Sequence, residues 1–361
     1  MPPRPRPGIL EIQAYVGGDA SAPGVDRVIR LASNENPLGP SPKAEAAYGA
    51  EHDELNRYPE GDSGALRQVI ARTYDLPVDQ LVCGAGSDEL ISLLVRAYAG
   101  PGDEVLHSAH GFLMYPLAAK AAGATPVSAP ERNLTSDVDA LLNLAGPRTR
   151  LVFLANPNNP TGSYLPAAEL GRLRAGLPEQ VLLVIDAAYA EYVEREDYEP
   201  GIQLVRAHDN VVMTRTFSKI HGLASLRLGW AFCPRAVADV LNRVRVPFNV
   251  CGPAQAAGIA ALEDVEHVAR SRRHNSRWLA WFSAQAAGLG LVVLPSVGNF
   301  VLLRFPSVPG KDAASAADAL KQRGILLRAM GAYGLPDCLR VTIGTGEDME
   351  VVIQALGEFL S

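Results

Sequence analysis

The sequence has few cysteines and no excess of basic residues. Its four cysteines lie far apart and form no Cys-x-x-Cys pair, so neither a disulfide framework nor a structural zinc site is expected. Lys and Arg total 33 against 39 for Asp and Glu, and the formal net charge of -6 gives no general attraction to nucleic acid or to an anionic membrane. These absences leave chemistry on small molecules as the leading class of function.

The sequence also lacks an uninterrupted apolar run. Residues 278–303 carry no charge over a length that could cross a bilayer, but Gly288, Gly290, Pro295 and Gly298 break them into a helix end, two strands and a turn. The N-terminal segment 1–8 is charged and proline-rich, without the apolar core of a secretory signal. We therefore expect a cytoplasmic protein with reduced thiols and no membrane span.

The pattern of the first two thirds of the chain predicts a parallel sheet. The chain of 361 residues is long enough for two domains, and its 48% hydrophobic and 20% charged residues predict a globular protein. From about residue 40 to about residue 255, short β-branched or leucine-rich runs alternate with amphipathic segments such as 88–98, which is typical of βαβ units. The candidate strands are 80–83, 104–107, 125–128, 150–155, 181–186 and 210–216.

The rest of the chain has an α+β pattern. It predicts a long helix over about 265–285, strands at 290–295 and 300–304, a helix at 313–323, and strands at 325–328 and 338–343. The proline-rich start of the chain predicts an extended arm, and Ser41-Pro42 is a plausible helix start. The predicted division is an N-terminal arm over 1–40 that joins the small domain, a large domain over 41–257 and a small C-terminal domain over 258–361.

The ends of the predicted strands carry the residues with chemical potential, because ligands of an open parallel sheet bind outside the carboxyl ends of its strands. Gly84-Ala-Gly-Ser-Asp-Glu89 follows the first strand and opens a helix, so its free backbone N–H groups could hold a phosphate. It lacks the third glycine of a dinucleotide fingerprint and the lysine of a P-loop. The alternative is an ordinary helix capped by Ser87 or Asp88.

Two further strand ends offer hydrogen-bonding and acidic groups. Asn156-Pro-Asn-Asn-Pro-Thr-Gly162 is a rigid turn in which Asn158 and Asn159 supply neutral amides, although a well-made turn is an equally good interpretation. Asp186 ends a buried run and needs a cation or a strong donor to offset the cost of burial. A helix cap or a salt bridge would satisfy it as well.

Lys219 follows the last strand of this series, flanked by apolar residues that can lower the pKa of its amine enough for it to form an imine. A phosphate site, neutral donors, a carboxylate that needs a cation and an imine-forming lysine together describe a pocket for pyridoxal 5'-phosphate.

The order of these motifs resembles that of the fold-type-I pyridoxal-phosphate aminotransferases, and more narrowly that of the histidinol-phosphate aminotransferases. The resemblance covers nearly the whole chain and implies a large domain with a mostly parallel seven-stranded sheet plus a smaller α+β domain. The motifs that carry it are Asn34-Glu-Asn-Pro-Leu-Gly-Pro-Ser-Pro42, Arg57-Tyr-Pro59, Gly86-Ser-Asp-Glu89, Asn156-Pro-Asn-Asn-Pro-Thr-Gly162, Asp186-Ala-Ala-Tyr189, Phe217-Ser-Lys219, Arg227-Leu-Gly229, Gly298-Asn-Phe300 and Leu339-Arg-Val-Thr-Ile-Gly344.

The resemblance also implies a role for each site residue. Lys219 matches the lysine that forms the imine with the cofactor and later moves the proton of the substrate, and Asp186 matches the partner of the pyridine nitrogen. Asn159 and Tyr189 match the residues that hydrogen-bond the phenolic oxygen of the ring. The phosphate is implied to be held by Ser87, Asp88, Ser218 and Arg227.

Other positions imply how the substrate and a second subunit take part. Phe112 matches the residue that stacks on the ring, and Tyr58 matches a tyrosine that reaches the phosphate in the partner subunit, so a homodimer with shared sites is implied. Arg340 matches the arginine that binds the acidic group of the substrate. Arg328 is placed beside it, and Asn36 is a further predicted substrate-binding residue.

Three departures from the family pattern put the substrate preference in doubt. Ala187 replaces a frequent glutamate, His221 replaces a frequent tyrosine, and His110-Gly-Phe112 replaces Pro-Thr-Tyr, so that the stacking face is kept without its hydroxyl. His107 and His110 have no carboxylate to complete a metal set, so no metal site is expected.

The resemblance implies reversible amino transfer between L-histidinol phosphate and 2-oxoglutarate, which gives imidazole-acetol phosphate and L-glutamate. A broad phenylalanine or tyrosine aminotransferase is the nearest alternative, because an aromatic amino acid places a ring and an acidic group at similar spacing. A pyridoxal-phosphate decarboxylase or lyase on the same fold stays open, since fold does not determine the reaction. A cofactor-binding regulatory module is disfavoured, because no basic or helix-turn-helix extension is present.

Overall fold

The computed structural model describes residues 3–6, 8–14, 17–19, 21, 24–25 and 27–361. Its α-helices in chain order are α1 (Pro42–Ala50), α2 (Gly64–Tyr74), α3 (Ser87–Tyr98), α4 (Met114–Ala122), α5 (Val138–Leu144), α6 (Ala167–Gly176), α7 (Ile202–Ala207), α8 (Arg235–Val244), α9 (Gly252–Glu263), α10 (Val265–Gly288), α11 (Ala313–Gln322) and α12 (Gly346–Leu360). Its strands are β1 (Ile29–Arg30), β2 (Leu81–Gly84), β3 (Glu104–Ser108), β4 (Thr125–Ala129), β5 (Glu131–Arg132), β6 (Thr135–Ser136), β7 (Thr149–Ala155), β8 (Leu182–Asp186), β9 (Val211–Thr216), β10 (Gly229–Phe232), β11 (Val292–Leu294), β12 (Phe300–Arg304), β13 (Ile325–Leu326), β14 (Arg328–Ala329) and β15 (Cys338–Thr342).

A seven-stranded sheet forms the centre of the first two thirds of the chain. Its strand order is β2-β10-β9-β8-β7-β3-β4, and all pairs are parallel except the two that β10 makes with β2 and β9. The mostly parallel seven-stranded sheet expected from the sequence is therefore confirmed, with the carboxyl ends of its six parallel strands at one edge.

The central strands are apolar throughout because both faces of the sheet are covered. Along β7, Leu151 and Phe153 pack with α3, α4 and α8, whereas Val152 and Leu154 pack with helices on the opposite face, including α1, α2, α6 and α9. This alternation explains why the sequence shows a continuous hydrophobic run at β7 instead of an apolar and polar alternation.

A second, antiparallel sheet lies in the C-terminal part, as the α+β pattern predicted. Its order is β11-β12-β15-β14, and its own core includes Phe282 of α10 and Val352 of α12. The N-terminal arm reaches this region, because β1 pairs in parallel with β13 and the carbonyl of Leu31 accepts from the N–H of Thr342. The domain boundaries 1–40, 41–257 and 258–361 stay a prediction, and parts of the arm lie outside the described residues.

Two details of the prediction differ from the structure. Strand β10 was not among the candidate strands, and the strand predicted at 325–328 is two strands, because Ile325 and Leu326 pair with the arm while Arg328 and Ala329 pair with β15. The uncharged segment 278–303 divides as expected into the end of α10, then β11 and β12. Among the helices that the structure describes, none combines the length and the apolar character required to cross a bilayer.

Candidate active site

A cavity of about 300 Å³ opens at the carboxyl ends of β2, β7, β8 and β9. Its position is the one expected for a ligand site on an open parallel sheet. The structure brings together in its lining eleven of the thirteen site residues predicted from the sequence: Ser87, Asp88, Phe112, Asn159, Asp186, Tyr189, Ser218, Lys219, Arg227, Arg328 and Arg340.

Asp186, the last residue of β8, is a buried carboxylate with hydrogen-bond donors but without a cationic partner among the described residues. Its Oδ2 accepts from the hydroxyl of Tyr115 over 2.8 Å, and its Oδ1 accepts from Thr214 on the neighbouring strand over 3.3 Å. None of the ion pairs in the described part of the chain includes Asp186. Burial raises the pKa of Asp186 to about 6, against the opposing effect of the Tyr115 hydrogen bond. The site can therefore stabilise a positively charged donor placed beside it.

Lys219 follows β9 and projects its amine into the same cavity. Its Nζ donates to the carbonyl of Ser33 over 3.1 Å and lies 5.7 Å from the centre of the Tyr189 ring. Burial, assisted by the positive charge of Arg340, lowers the pKa of the Lys219 amine to about 8. Near neutral pH, an appreciable fraction of this amine is therefore uncharged and can act as a nucleophile or a base.

The turn between β2 and α3 forms an anion cradle together with Arg227. The N-cap of α3 is Gly86, with φ 83°, so the capping by Ser87 or Asp88 that the sequence left open is not observed. Arg227 donates from Nη2 to Asp88 over 3.0 Å and from Nη1 to Ser218 over 3.4 Å. The left-handed backbone of Gly86 favours glycine, and a Cβ atom there would also lie 2.5 Å from Arg227 Nη2 and displace the end of that side chain. The helix N-terminus and the guanidinium together favour a phosphate.

Tyr189 lies in the loop after β8, with its ring buried edge-on against Phe300 at 5.2 Å. Its hydroxyl accepts a hydrogen bond from Asn34 Nδ2 over 2.9 Å. Burial holds the pKa of Tyr189 well above its usual value, so the hydroxyl keeps its proton. Tyr189 can thus donate to an acceptor in the cavity.

Arg340 and Arg328 place two guanidinium groups in the cavity. They are directly opposite each other on the antiparallel strands β15 and β14. Arg340 is buried and donates to the carbonyl of Ala32 over 2.7 Å and to Oδ1 of Asn159. Because Asn159 accepts with its oxygen, its amide nitrogen is available as a donor to a bound group.

The aromatic side of the cavity is formed by Phe112, which contacts Tyr115 edge-on at 5.9 Å, while Tyr115 stacks on Phe153 at 4.7 Å. His107 and His110 do not point to a common centre, since their Nδ1 atoms donate to the carbonyls of Ser108 and Tyr333, respectively. The described residues contain no group of three or more side chains suited to a metal ion.

Two predicted site residues, Asn36 and Tyr58, do not line this cavity, and neither does His221. Asn36 uses its amide nitrogen on the carbonyl of Ile220 over 2.7 Å and on Ser271 over 3.0 Å, so it braces the arm instead of facing the cavity. Tyr58 is 83% exposed and stacks on Phe248 at 4.6 Å. His221 is buried against Phe217, and burial lowers its pKa to about 4, which agrees with a packing residue.

The sequence interpretation missed four residues that the structure places at the site: Tyr115, Thr214, Asn34 and Tyr333. Thr214 could have been found from strand order, since Thr214 on β9 is the register partner of Asp186 on the neighbouring strand β8. Asn34 begins a recognised motif and Tyr115 lies three positions after Phe112, but the chain assigned neither of them a role. Their contacts depend on how distant segments pack.

Comparison with known proteins agrees with this geometry. The family model described as aminotransferase class I and II matches residues 26–356. The histidinol-phosphate aminotransferases of Paramagnetospirillum magneticum and Rhodospirillum centenum are 60% and 61% identical to this chain, each over 99% of both chains. The crystal structure of histidinol-phosphate aminotransferase from Sinorhizobium meliloti in complex with pyridoxal-5'-phosphate has a TM-score of 0.90 at 30% identity and covers 99% of this chain and 97% of that one. This chain therefore belongs to the class I and II aminotransferase family and, within it, to the histidinol-phosphate aminotransferases.

Proposed function

We propose that this protein transfers an amino group reversibly between L-histidinol phosphate and 2-oxoglutarate with pyridoxal 5'-phosphate as its cofactor. The observation that carries the substrate assignment is the pair Arg328 and Arg340, directly opposite each other in the cavity that also holds Lys219. Both guanidinium groups line this cavity, and a guanidinium binds a phosphate or a carboxylate through two parallel hydrogen bonds, so an anionic group of the substrate fits beside them. The names of the relatives at 60% and 61% identity support the same substrate.

The residues of the cavity fit the cofactor. Asp186 has no ion-pair partner among the described residues, and a protonated pyridine nitrogen would supply one. The cradle of Ser87, Ser218 and Arg227 suits the phosphate, while Asn159 and Tyr189 supply neutral donors for the phenolic oxygen. When bound, pyridoxal phosphate supplies an electron sink for the charge left on the substrate carbon after proton removal.

Lys219 performs two tasks in the proposed reaction. Its amine would hold the cofactor covalently in the resting enzyme. Once freed by the amine of the substrate, Lys219 would take the proton from the reacting carbon of the substrate and deliver it to the cofactor, so that the amino group stays with the cofactor. The pKa of about 8 favours both tasks, because a base is most effective when its pKa is near the working pH. Asp186 would keep the pyridine nitrogen of the bound cofactor protonated, and Tyr115 and Thr214 orient the two oxygens of this carboxylate.

In the proposed reaction, Arg340 binds the phosphate of one substrate and a carboxylate of the other. A guanidinium group suits both, because its planar fork can form two parallel hydrogen bonds to either group. Its contacts with Ala32 and Asn159 hold it in place before the substrate arrives. Arg328 adds a second positive charge that benefits the dianionic phosphate most.

A homodimer is part of the proposal. Exposed apolar side chains cluster around Tyr58 and Phe248, and Leu55 and Val246 in the same segments are 69% and 57% exposed. We infer that a second copy of the chain covers these residues and that Tyr58 reaches the phosphate cradle of the partner. Loss of cofactor affinity in Tyr58→Ala, with the dimer intact by analytical ultracentrifugation, would support shared sites, and unchanged affinity would contradict them.

The domain division 41–257 and 258–361 and a cytoplasmic location complete the proposal. The two separate hydrophobic cores support the division. The buried cysteines Cys83, Cys233 and Cys338 are unpaired in the described structure, which fits a reducing compartment.

Steady-state kinetics test the substrate assignment. L-glutamate formation would be measured with 2-oxoglutarate and either L-histidinol phosphate or L-phenylalanine as the amino donor. We expect the larger kcat/KM for L-histidinol phosphate. A larger value for L-phenylalanine would instead indicate an aromatic aminotransferase, and release of carbon dioxide from a phosphorylated amino acid without L-glutamate formation would indicate a decarboxylase.

A further inference from the structure

We propose that Asn34 is a positioning residue that directs the hydroxyl proton of Tyr189 into the cavity. This inference rests on the proposed function, because it takes the phenolic oxygen of the bound cofactor as the acceptor of that proton. Asn34 belongs to the N-terminal arm, lines the cavity and is 1% exposed. Its position follows from a chain of hydrogen bonds with a defined direction.

The chain of hydrogen bonds begins at a backbone N–H group, which can only donate. The N–H of Asn34 donates to Oγ1 of Thr342 over 2.9 Å. The hydroxyl of Thr342 then donates its own proton to Oδ1 of Asn34 over 3.1 Å. In this arrangement the amide of Asn34 has its oxygen toward Thr342 and its nitrogen toward Tyr189, where Nδ2 donates over 2.9 Å.

This orientation determines what Tyr189 can do. The Tyr189 oxygen accepts from Asn34, so its single proton is left for a different acceptor, and the cavity is where the proposed function supplies one. If Asn34 were replaced by a residue that accepts, the hydroxyl could turn toward it and the bond to the cavity would be lost. A neutral, correctly directed donor stabilises negative charge on a phenolic oxygen.

The structure holds Asn34 firmly in this arrangement. Its backbone is left-handed, with φ 56°, a conformation that asparagine tolerates better than most residues. Its carbonyl accepts from Nδ2 of Asn299 over 3.0 Å, and the carbonyl of Asn299 accepts from the N–H of Ile343 over 2.9 Å. The C-terminal sheet thus anchors Asn34, whereas Tyr189 belongs to the loop after β8 of the large sheet.

The test is a pH titration of the visible absorbance of the cofactor-loaded enzyme, which follows the proton on the lysine-bound cofactor. Negative charge on the phenolic oxygen is greatest after that proton has left, so a weaker donor from Tyr189 raises the midpoint. Asn34→Gly removes the side chain and accepts the left-handed backbone. We expect its midpoint to rise by about one pH unit, which corresponds to the loss of one hydrogen bond to a charged group.

Other variants keep the test decisive if Asn34→Gly does not fold. Thr342→Val releases the amide of Asn34 and is expected to raise the midpoint, whereas Thr342→Ser keeps the hydroxyl and is expected to restore the wild-type value. Asn133→Gly is the matched control, because Asn133 is an exposed asparagine with the same left-handed backbone, φ 52°, in the turn between β5 and β6.

A double-mutant cycle separates this role from general packing. In a Tyr189→Phe background, Asn34→Gly and Thr342→Val are expected to leave the midpoint unchanged, because the hydroxyl they act through is gone. An equal shift of the midpoint in the Tyr189→Phe background, or no shift with Tyr189 present, would overturn this inference and leave the proposed function standing. A wild-type protein without a visible band after cofactor loading would overturn the proposed function, and this inference with it.

Discussion

The hydroxyl of Tyr115 donates a 2.8 Å hydrogen bond to Oδ2 of Asp186 inside the sheet edge. Both side chains are buried, and the Tyr115 ring is fixed between Phe153 and Phe112. Burial raises the pKa of Asp186 to about 6, and the hydrogen bond from Tyr115 acts in the opposite direction, so the pKa would be higher without it. Tyr115 therefore keeps Asp186 ionised over a wider pH range, and it supports the aromatic side of the cavity at the same time.

Removal of the Tyr115 hydroxyl should lower kcat, and most strongly at acidic pH. In Tyr115→Phe, the pKa of Asp186 rises further, so the acidic limb of the pH profile of kcat should move to higher pH. The maximal kcat should fall about tenfold, as expected for one lost hydrogen bond to a charged group. Tyr164→Phe is the matched control, since Tyr164 donates a bond of 2.8 Å to Asp197 at an exposed site. An unmoved acidic limb would show that Tyr115 does not act through Asp186.

The lowered pKa of Lys219 predicts how the apoenzyme takes up its cofactor. Only the uncharged amine can attack the aldehyde of pyridoxal phosphate, so the rate of covalent reconstitution should rise with pH and level off above a midpoint near 8. Stopped-flow absorbance measures this rate. Arg340 contributes to lowering the pKa, so in Arg340→Met the midpoint should move upward. A wild-type midpoint near the ordinary lysine value of 10.5 would contradict the effect of burial on this amine.

The two arginines should differ in their effect on the two substrates. Arg340→Lys loses the planar fork and should raise the KM for both L-histidinol phosphate and 2-oxoglutarate, by roughly 10- to 100-fold. Arg328→Gln should raise the KM for L-histidinol phosphate more than that for 2-oxoglutarate, because the phosphate carries the larger charge. Steady-state kinetics with each substrate varied in turn measure the difference. Equal effects of Arg328→Gln on both substrates would contradict its assignment to the phosphate.

The turn before α3 should not accept a side chain. In Gly86→Ala the backbone with φ 83° is strained, and the new Cβ would lie 2.5 Å from Arg227 Nη2, so the guanidinium must shift from its position in the phosphate cradle. Cofactor affinity, measured by equilibrium titration, should fall by about tenfold or more, as for a lost charge-assisted contact. Gly100→Ala, where a Cβ meets nothing within 4 Å, is the control and should bind the cofactor normally.

The residues that follow apolar runs were the most predictable part of the site. Asp186 ends β8 and Lys219 follows β9 by three residues, and the hydrophobic runs of both strands are visible in the sequence, so their place at the sheet edge followed from general rules. Strand β10 was missed because it is only four residues long and starts with glycine. It begins two residues after Arg227, whose backbone is left-handed. Local pattern was also insufficient at 325–328, where a change of partner, and not a break in hydrophobicity, ends one strand and starts the next.

Contacts between distant segments were beyond the reach of the sequence. Tyr115 and Asp186 are 71 positions apart, and Asn34 and Tyr189 are 155 positions apart. Asn36, two positions from Asn34 in the same motif, was predicted as a substrate ligand, yet its amide is engaged by Ile220 and Ser271. Which of two asparagines faces the cavity depends on the left-handed backbone at Asn34, which no periodicity in the chain reveals.

A single half-reaction tests the central claim most directly. Cofactor-loaded protein would be mixed with L-histidinol phosphate in the absence of an oxo acid, and separately with L-phenylalanine at the same concentration, while the visible absorbance is followed. We expect L-histidinol phosphate to convert the lysine-bound cofactor into its amine form faster than L-phenylalanine does. One equivalent of imidazole-acetol phosphate should be released per site. Faster conversion by L-phenylalanine would contradict the substrate assignment, and protein that shows no lysine-bound cofactor at all would contradict the role of Lys219.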